Sequence, residues 1–235
     1  MLLLRKRKNS LKKQEKENLK QKLYENGAAL VGFCELPKEL KKGEFTHAVS
    51  IAYKLSDTVL KTIENEPSII YFHRYRTVNT KLDLLALLAV SEIEKEGFLA
   101  LPIAASQSLN TNKNEYCGVF SHKTAARLSG LGFIGKNGLL ITKEYGSKIR
   151  LCTVLTNMPL KAENEILNDD CGDCMICKNA CPAGAIFGAN FIVEKGRSSV
   201  LDPHKCSEHM KKAYMHIGRG SVCGLCIKNC PKNKL

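Results

Sequence analysis

Eight of the chain's eleven cysteines lie between positions 171 and 230. Thiols that dense at fixed short spacings call for cross-links or a metal. The opening MLLLRKRKNSLKK is not an export signal: its apolar block is only Leu2, Leu3 and Leu4, it precedes the charges, and no small-residue cleavage site follows. A disulfide framework is therefore not expected, and metal ligation is. Cys171, Cys174, Cys177 and Cys181, followed by Pro182, spell C-x2-C-x2-C-x3-C-P. In such a run three thiolates hold one 4Fe–4S cube and the fourth holds another. A second run is thus required, and Cys223, Cys226 and Cys230 before Pro231 provide it, with Cys206 completing the count. The expected partition is Cys171, Cys174, Cys177 and Cys230 on cluster I, and Cys181, Cys206, Cys223 and Cys226 on cluster II. Ferric iron with bridging sulfide favours such soft, charge-donating ligands. Two zinc ribbons built on the C-x-x-C pairs are the alternative, but they leave Cys177, Cys181, Cys206 and Cys230 without a role.

The 235 residues can bury a proper core, and 44% apolar with 25% charged residues is the balance of a soluble globular protein. No apolar run approaches the ~20 residues that span a bilayer, so no membrane contact and a cytoplasmic location are expected. The net charge is +13 and uneven: residues 1–22 hold nine Lys or Arg against two Glu. This basic arm reads either as a phosphate-seeking segment for RNA or as a solvated helix. No aromatic residue interleaves it before Tyr24, so it offers no stacking platform.

Residues 10–26 read as a polar helix ending at Gly27, with strands at 28–34, 46–53 and 99–106. A long helix with one broad apolar face is expected over 78–98, and a helix capped by Ser121 and Gly130 over 121–130. Residues 138–156 alternate on both sides of KEYGS, which predicts a β-hairpin. After NMPLKAENEILNDD the composition turns to Cys, Gly, Pro and Lys. The expected organisation is an arm at 1–22, an α/β domain at 23–165 and a double 4Fe–4S ferredoxin-like module at 166–235.

The stretch SGLGFIGKNGLL carries two nucleotide fingerprints, and both fail in context. Gly130, Gly132 and Gly135 form G-x-G-x-x-G, but a helix precedes them and no acid occurs between Glu144 and Glu163. With Lys136 they approach a Walker loop, but Asn137 stands where Ser or Thr would hold magnesium. A tight turn from helix to strand, letting backbone approach something flat or anionic, is the remaining reading.

GLGFIGKNGLLITKEYGSKIRLCTVLTNMPL, EGFLALPIAAS and the order of the cysteine runs together resemble the epoxyqueuosine reductase family, across roughly residues 23–235. These are corrinoid and iron–sulfur reductases close to the corrinoid-dependent dehalogenases. The resemblance implies a cobalamin in the α/β domain, bound without its lower base and fed by the two clusters from an external ferredoxin- or flavodoxin-type donor. It implies a short member without the C-terminal helical extension that helps with tRNA. It places Gly130, Gly132, Gly135, Lys136 and Asn137 at the cofactor, with His73 and Arg76 of YFHRYRTVN as further pocket residues. The family's proton-donating Asp falls on Tyr116, and its Glu-Arg pair on His122 and Lys123. The expected catalytic residues are Tyr116, with a tyrosine donor on the dehalogenase pattern, His122 and Cys117. Cys34 and Cys152, in apolar strands, are expected in the core. The leading expectation is reduction of a substrate at cobalamin. The alternatives are an electron carrier or reductive activator of a corrinoid protein, and epoxyqueuosine reduction itself.

Overall fold

A computed structural model describes residues 2–107, 109, 116–168 and 170–233, with side chains from residue 14 onward. Most of the basic arm's side chains, and residues 110–115 before Tyr116, lie outside that set. The fold is mixed α/β, built on a four-stranded antiparallel sheet of order β1-β2-β6-β3. Its strands are β1 (Leu30–Glu35), β2 (His47–Lys54), β3 (Ala100–Ile103) and β6 (Ile149–Thr156). Helix α3 (Ile69–Lys95) packs on β2, β3 and β6, and α4 (His122–Leu128) packs on β1, β2 and β6. With both faces covered, β2 and β6 are apolar nearly throughout, which is why they read as continuous runs. Among the described residues no helix is long and apolar enough to cross a membrane.

Helix α1 (Leu2–Glu25) ends at Gly27, whose φ of 92° stops the helix in a left-handed turn. Among its described side chains Leu19 and Leu23 are buried. Its later cations are engaged by the chain's own acids: Lys16 and Lys20 pair with Glu163, and Lys22 with Glu92. Helix α3 starts nine residues earlier than the pattern suggested. Ser68 accepts the Tyr71 N–H at 3.0 Å as its N-cap, and the YFHRYRTVN stretch is helical. Leu84 and Leu87, which belonged to the expected apolar face, are more than half exposed. Cys34 and Cys152 sit in the core, as expected, with thiols directed at the carbonyls of Ala125 and Leu82.

The hairpin over 138–156 does not form. Strand β5 (Leu140–Ile141) pairs back on β4 (Phe133–Ile134), while β6 leaves for the centre of the main sheet. Only a tight turn remains, in which Thr142 and Gly146 exchange hydrogen bonds of 2.9 and 3.0 Å. Burial decides the outcome, because β6 has apolar partners on both faces and gains more there than in a two-stranded ribbon. The small β4–β5 pair depends on missing side chains: a Cβ on Gly132 would overlap the Ile141 carbonyl, and one on Gly135 would press into the Ile141 side chain.

The cysteine-rich stretch returns to this core. Helix α2 (Asp57–Lys61) and the start of α3 receive α7 (Leu225–Lys228), and Val222, Leu225 and Ile227 join the hydrophobic cluster that contains Leu60, Tyr71 and Leu82. The chain end is pinned by Asn233, which is 3% exposed. Its Oδ1 accepts from the Ser147 N–H (2.7 Å) and hydroxyl (3.0 Å), and its Nδ2 donates to the Ile227 carbonyl. Replacing Asn233 with Ala strands buried partners at both ends. It should cost the cluster-loaded protein about 2 kcal/mol or more in urea unfolding, because each orphaned buried group costs about 1–3 kcal/mol. A change below about 0.5 kcal/mol would show that the Asn233 contacts do not hold the two stretches together.

Candidate redox site

Two thiol cages form from interleaved segments. The first is a small cavity lined by Cys171, Cys174, Cys177 and Cys230, with Lys136, Asn137, Ile141, Pro231 and Lys232 completing the wall. These are the four thiols that the sequence pattern allots to one cube. Gly172, at φ 50°, turns the loop between the first two ligands, and α5 (Ile176–Asn179) carries the third. Cys230 arrives from the other end of the chain because α7 packs against α5.

The second cage gathers Cys181, Cys206, Cys223 and Cys226. Cys206 rides on α6 (Pro203–Ala213), whose start is fixed by Pro203 and by Asp202 accepting from the His204 and Lys205 N–H groups. Burial and then the thiols of Cys223 and Cys181 push the Cys206 thiol up to about 11. Cys226 is raised further, by burial first and then by Cys223, Cys206, Cys181 and Cys177. Among the described residues no three Cys, His, Asp or Glu side chains converge as they would on a single metal ion. The cavity between Cys171, Cys174, Cys177 and Cys230 is lined by all four thiols.

Beside the second cage lies an open cleft of about 850 Å³. Tyr75, Arg76, Asn79 and Asp83 line it from α3, and Gly218, Arg219 and Ser221 from the loop leading to Cys223. The Tyr71 ring links cage and cleft. A Cβ on Gly224, in the cage loop, would sit 2.8 Å from it, and on its other side the Tyr75 ring is 6.4 Å away. Arg150 stacks 4.1 Å from the Tyr75 centroid and donates to Asn79 at 3.1 Å, which fixes the cleft floor. Asp83 accepts the Ala105 N–H at 2.8 Å.

The remaining candidate residues divide. Arg76 lines the cleft; His73 is exposed, does not line it, and lies against the Phe72 ring at 5.2 Å. Gly130 closes α4 at φ 70° and abuts Asn164 and Glu165, so it and Gly132 and Gly135 are small in order to pack against the chain itself. Lys136 and Asn137 are corrected from corrinoid residues to walls of the first cage, where Lys136 Nζ donates to the Gly172 carbonyl at 2.6 Å. His122 is used up inside the fold: Nδ1 meets the Thr153 hydroxyl at 2.9 Å and Nε2 the Ala104 carbonyl at 3.0 Å. Burial lowers its pKa, and neither nitrogen is left for a substrate. Tyr116 is not in the cleft wall. Its ring stands edge-on to His204 at 5.0 Å with Lys211 Nζ 5.6 Å away, so the placement that suited a proton donor belongs instead to a contact with α6. Arg197 ties that segment down, donating to the Tyr116 carbonyl at 2.8 Å and reaching the Cys117 thiol at 3.5 Å.

Sequence reasoning missed Arg197, Tyr71 and the importance of Lys123. Burial and the charge of Arg197 push Lys123 down to about 8, against the raising influence of Cys226. Nothing in EKGRSSV marks Arg197, whereas Tyr71 was findable as an aromatic one turn before Tyr75. A buried cation therefore stands near each cage, and a nearby positive charge favours the reduced cluster. Exchanging Lys136 for Met should lower the cluster I midpoint by tens of millivolts at an effective dielectric of about 20, leaving cluster II nearly unchanged. Redox titration followed by electron paramagnetic resonance checks this, and an unshifted cluster I would remove Lys136 from its tuning.

Residues 170–233 match the family model described as a 4Fe-4S double cluster binding domain. The epoxyqueuosine reductase of Staphylococcus aureus is 33% identical over 117 residues, which is 50% of this chain and 30% of that protein. The chain thus spans about a third of the length of the curated relatives it matches. A selenomethionine-labelled epoxyqueuosine reductase superposes with a TM-score of 0.61 at 21% identity, covering 95% of this chain and 66% of that one. A reductive dehalogenase described with a mechanism for B12-dependent dehalogenation reaches 0.72 at 18% identity, covering 90% and 30%. The fold is common to both groups; by sequence about half of the chain is similar to epoxyqueuosine reductases, and residues 170–233 match a double-cluster domain.

Proposed function

We propose that the chain is an iron–sulfur reductase in which two 4Fe–4S clusters deliver electrons to a corrinoid held in the 850 Å³ cleft. The carrying observation is the continuity from cage to cleft. Three residues separate Arg219 on the cleft wall from Cys223, and Tyr71 touches the cage loop while Tyr75 lines the cleft. Cys171, Cys174, Cys177 and Cys230 would hold cluster I; Cys181, Cys206, Cys223 and Cys226 would hold cluster II. Each cube supplies one-electron storage at a potential that its charge and hydrogen bonds set. The cleft fits a large polar cofactor: its volume is near the top of the roughly 300–1,000 Å³ typical of ligand pockets, and its polar groups come from three directions. A corrinoid there would supply a strongly reducing centre that acts on the substrate.

The chain's own part is to place and insulate. Arg150 and Asn79 lock Tyr75 against the cleft, and the buried Tyr71 keeps water out of the gap between cage and cleft. An external low-potential donor of ferredoxin or flavodoxin type would feed cluster I, and the basic N-terminal arm would meet RNA. The position of Tyr116 off the cleft favours a second reading, in which the chain passes electrons to a corrinoid on another protein.

One experiment separates them. Anaerobic reconstitution should give about eight iron and eight sulfide per chain, and the loaded protein should bind hydroxocobalamin with a shift of its visible spectrum. Full clusters without cobalamin binding would replace the reductase reading by the carrier reading. About four iron, or two tightly held zinc ions, would contradict both.

A further inference from the structure

The cleft wall contains backbone held in a costly conformation. Arg219 sits at φ 57° and ψ 36°, left-handed for a residue with a Cβ. Gly218 at 56° and Gly220 at 65° flank it. Packing imposes this on all three. A Cβ on Gly218 would run into the Phe72 ring, and one on Gly220 would sit 2.7 Å from the Lys211 backbone at the end of α6. The loop is thereby pressed between α3 and α6, and Arg219 is held on the cleft wall.

Arg76 lines the same cleft from α3, with its guanidinium 5.6 Å from the centroid of that same Phe72 ring. One aromatic ring thus lies against both the Arg76 guanidinium and the backbone that precedes Arg219. Among the described residues neither guanidinium is paired with a carboxylate. Asp83 is the one acid in the lining, and it is engaged by the Ala105 N–H. Two exposed, permanently charged forks facing one cleft without a carboxylate partner match the oxygens of a phosphate group.

We propose that Arg76 and Arg219 form a clamp for a phosphodiester carried by the ligand of this cleft. The clamp rests on the reductase reading only in taking the cleft as the ligand site. Because Arg219 lies four residues before Cys223, the clamp is built on the strand of backbone that closes the second cage. The phosphodiester has two sources, the nucleotide tail of a complete corrinoid or an RNA backbone.

The test measures binding to the full-length, cluster-loaded chain of three probes: hydroxocobalamin, cobinamide (the same ring without the phosphodiester tail) and a short single-stranded RNA. The variants are Arg76→Gln and Arg219→Gly. Glycine removes the guanidinium and relieves the left-handed strain, so thermal unfolding should be unchanged or improved. At least one phosphodiester probe should bind the wild type and weaken roughly 10- to 100-fold in each variant, the worth of a charge-assisted bond. Cobinamide should bind wild type and variants alike. Loss of affinity for cobalamin identifies the corrinoid tail as the source, and loss for RNA identifies the nucleic-acid backbone. RNA binding that depends on both arginines, with no corrinoid binding, would keep the clamp and defeat the corrinoid reading. Equal affinity of both phosphodiester probes for wild type and variants, an equal loss for cobinamide, or no binding of either phosphodiester probe to the wild type would overturn the clamp.

Discussion

Eight thiols gathered into two cages are the constraint on which the rest of this structure depends. Thiolates are the ligands, yet burial and mutual proximity push these thiols upward, most of all Cys226. A set of buried, mutually repelling thiolates is unstable alone and stable only around positive iron, so cluster loading and folding are one equilibrium. The ligand order makes that coupling global. Cys230 reaches back to Cys171, Cys174 and Cys177, and Cys181 reaches forward to Cys206, Cys223 and Cys226. Neither cage closes without residues from both ends of the cysteine-rich stretch.

That interlock fixes the surroundings. Bringing α7 against α5 carries Leu225 and Ile227 into the core beside α3, and Asn233 then seats on the turn before β6. The same packing brings Tyr71 onto Gly224 and opens the cleft next to the second cage. Lys136, from the turn after β4, and Lys123, from α4, become cations near the cages. The α/β layer thus supplies charge, insulation and a binding wall to a metal module too small to provide its own.

The cysteines were legible because ligand chemistry leaves rigid spacings in sequence: two cysteine runs and a lone Cys206 give two sets of four, and the first set lines one cavity. Strands β1 and β2 and the capped helix α4 were legible from local pattern. The hairpin was not, because the choice between a ribbon and a buried central strand is settled by what covers β6, and α3 and α4 are distant in sequence. The glycines of SGLGFIGKNGLL misled for a related reason. A missing Cβ signals a close approach but not its partner, which here is the chain's own Ile141. Tyr116 shows the limit of residue-by-residue transfer: counting back from Gly130 selects it, but Arg197, His204 and Lys211 decide where it rests. The cleft itself was beyond reach, since α3 and the Gly218–Ser221 loop meet only through the interlock.

The central claim is that each cube takes ligands from both ends of the stretch, and iron content of one double variant tests it directly. Replacing Cys177 and Cys230 together with Ser damages a single cube if the two share it. Anaerobically reconstituted protein should then retain about four iron and four sulfide per chain, with the spectrum of an intact 4Fe–4S cluster. Loss of both clusters in that variant, where the matched Cys174→Ser and Cys177→Ser double variant keeps about four iron, would mean that Cys177 and Cys230 serve different cubes, and would contradict the account.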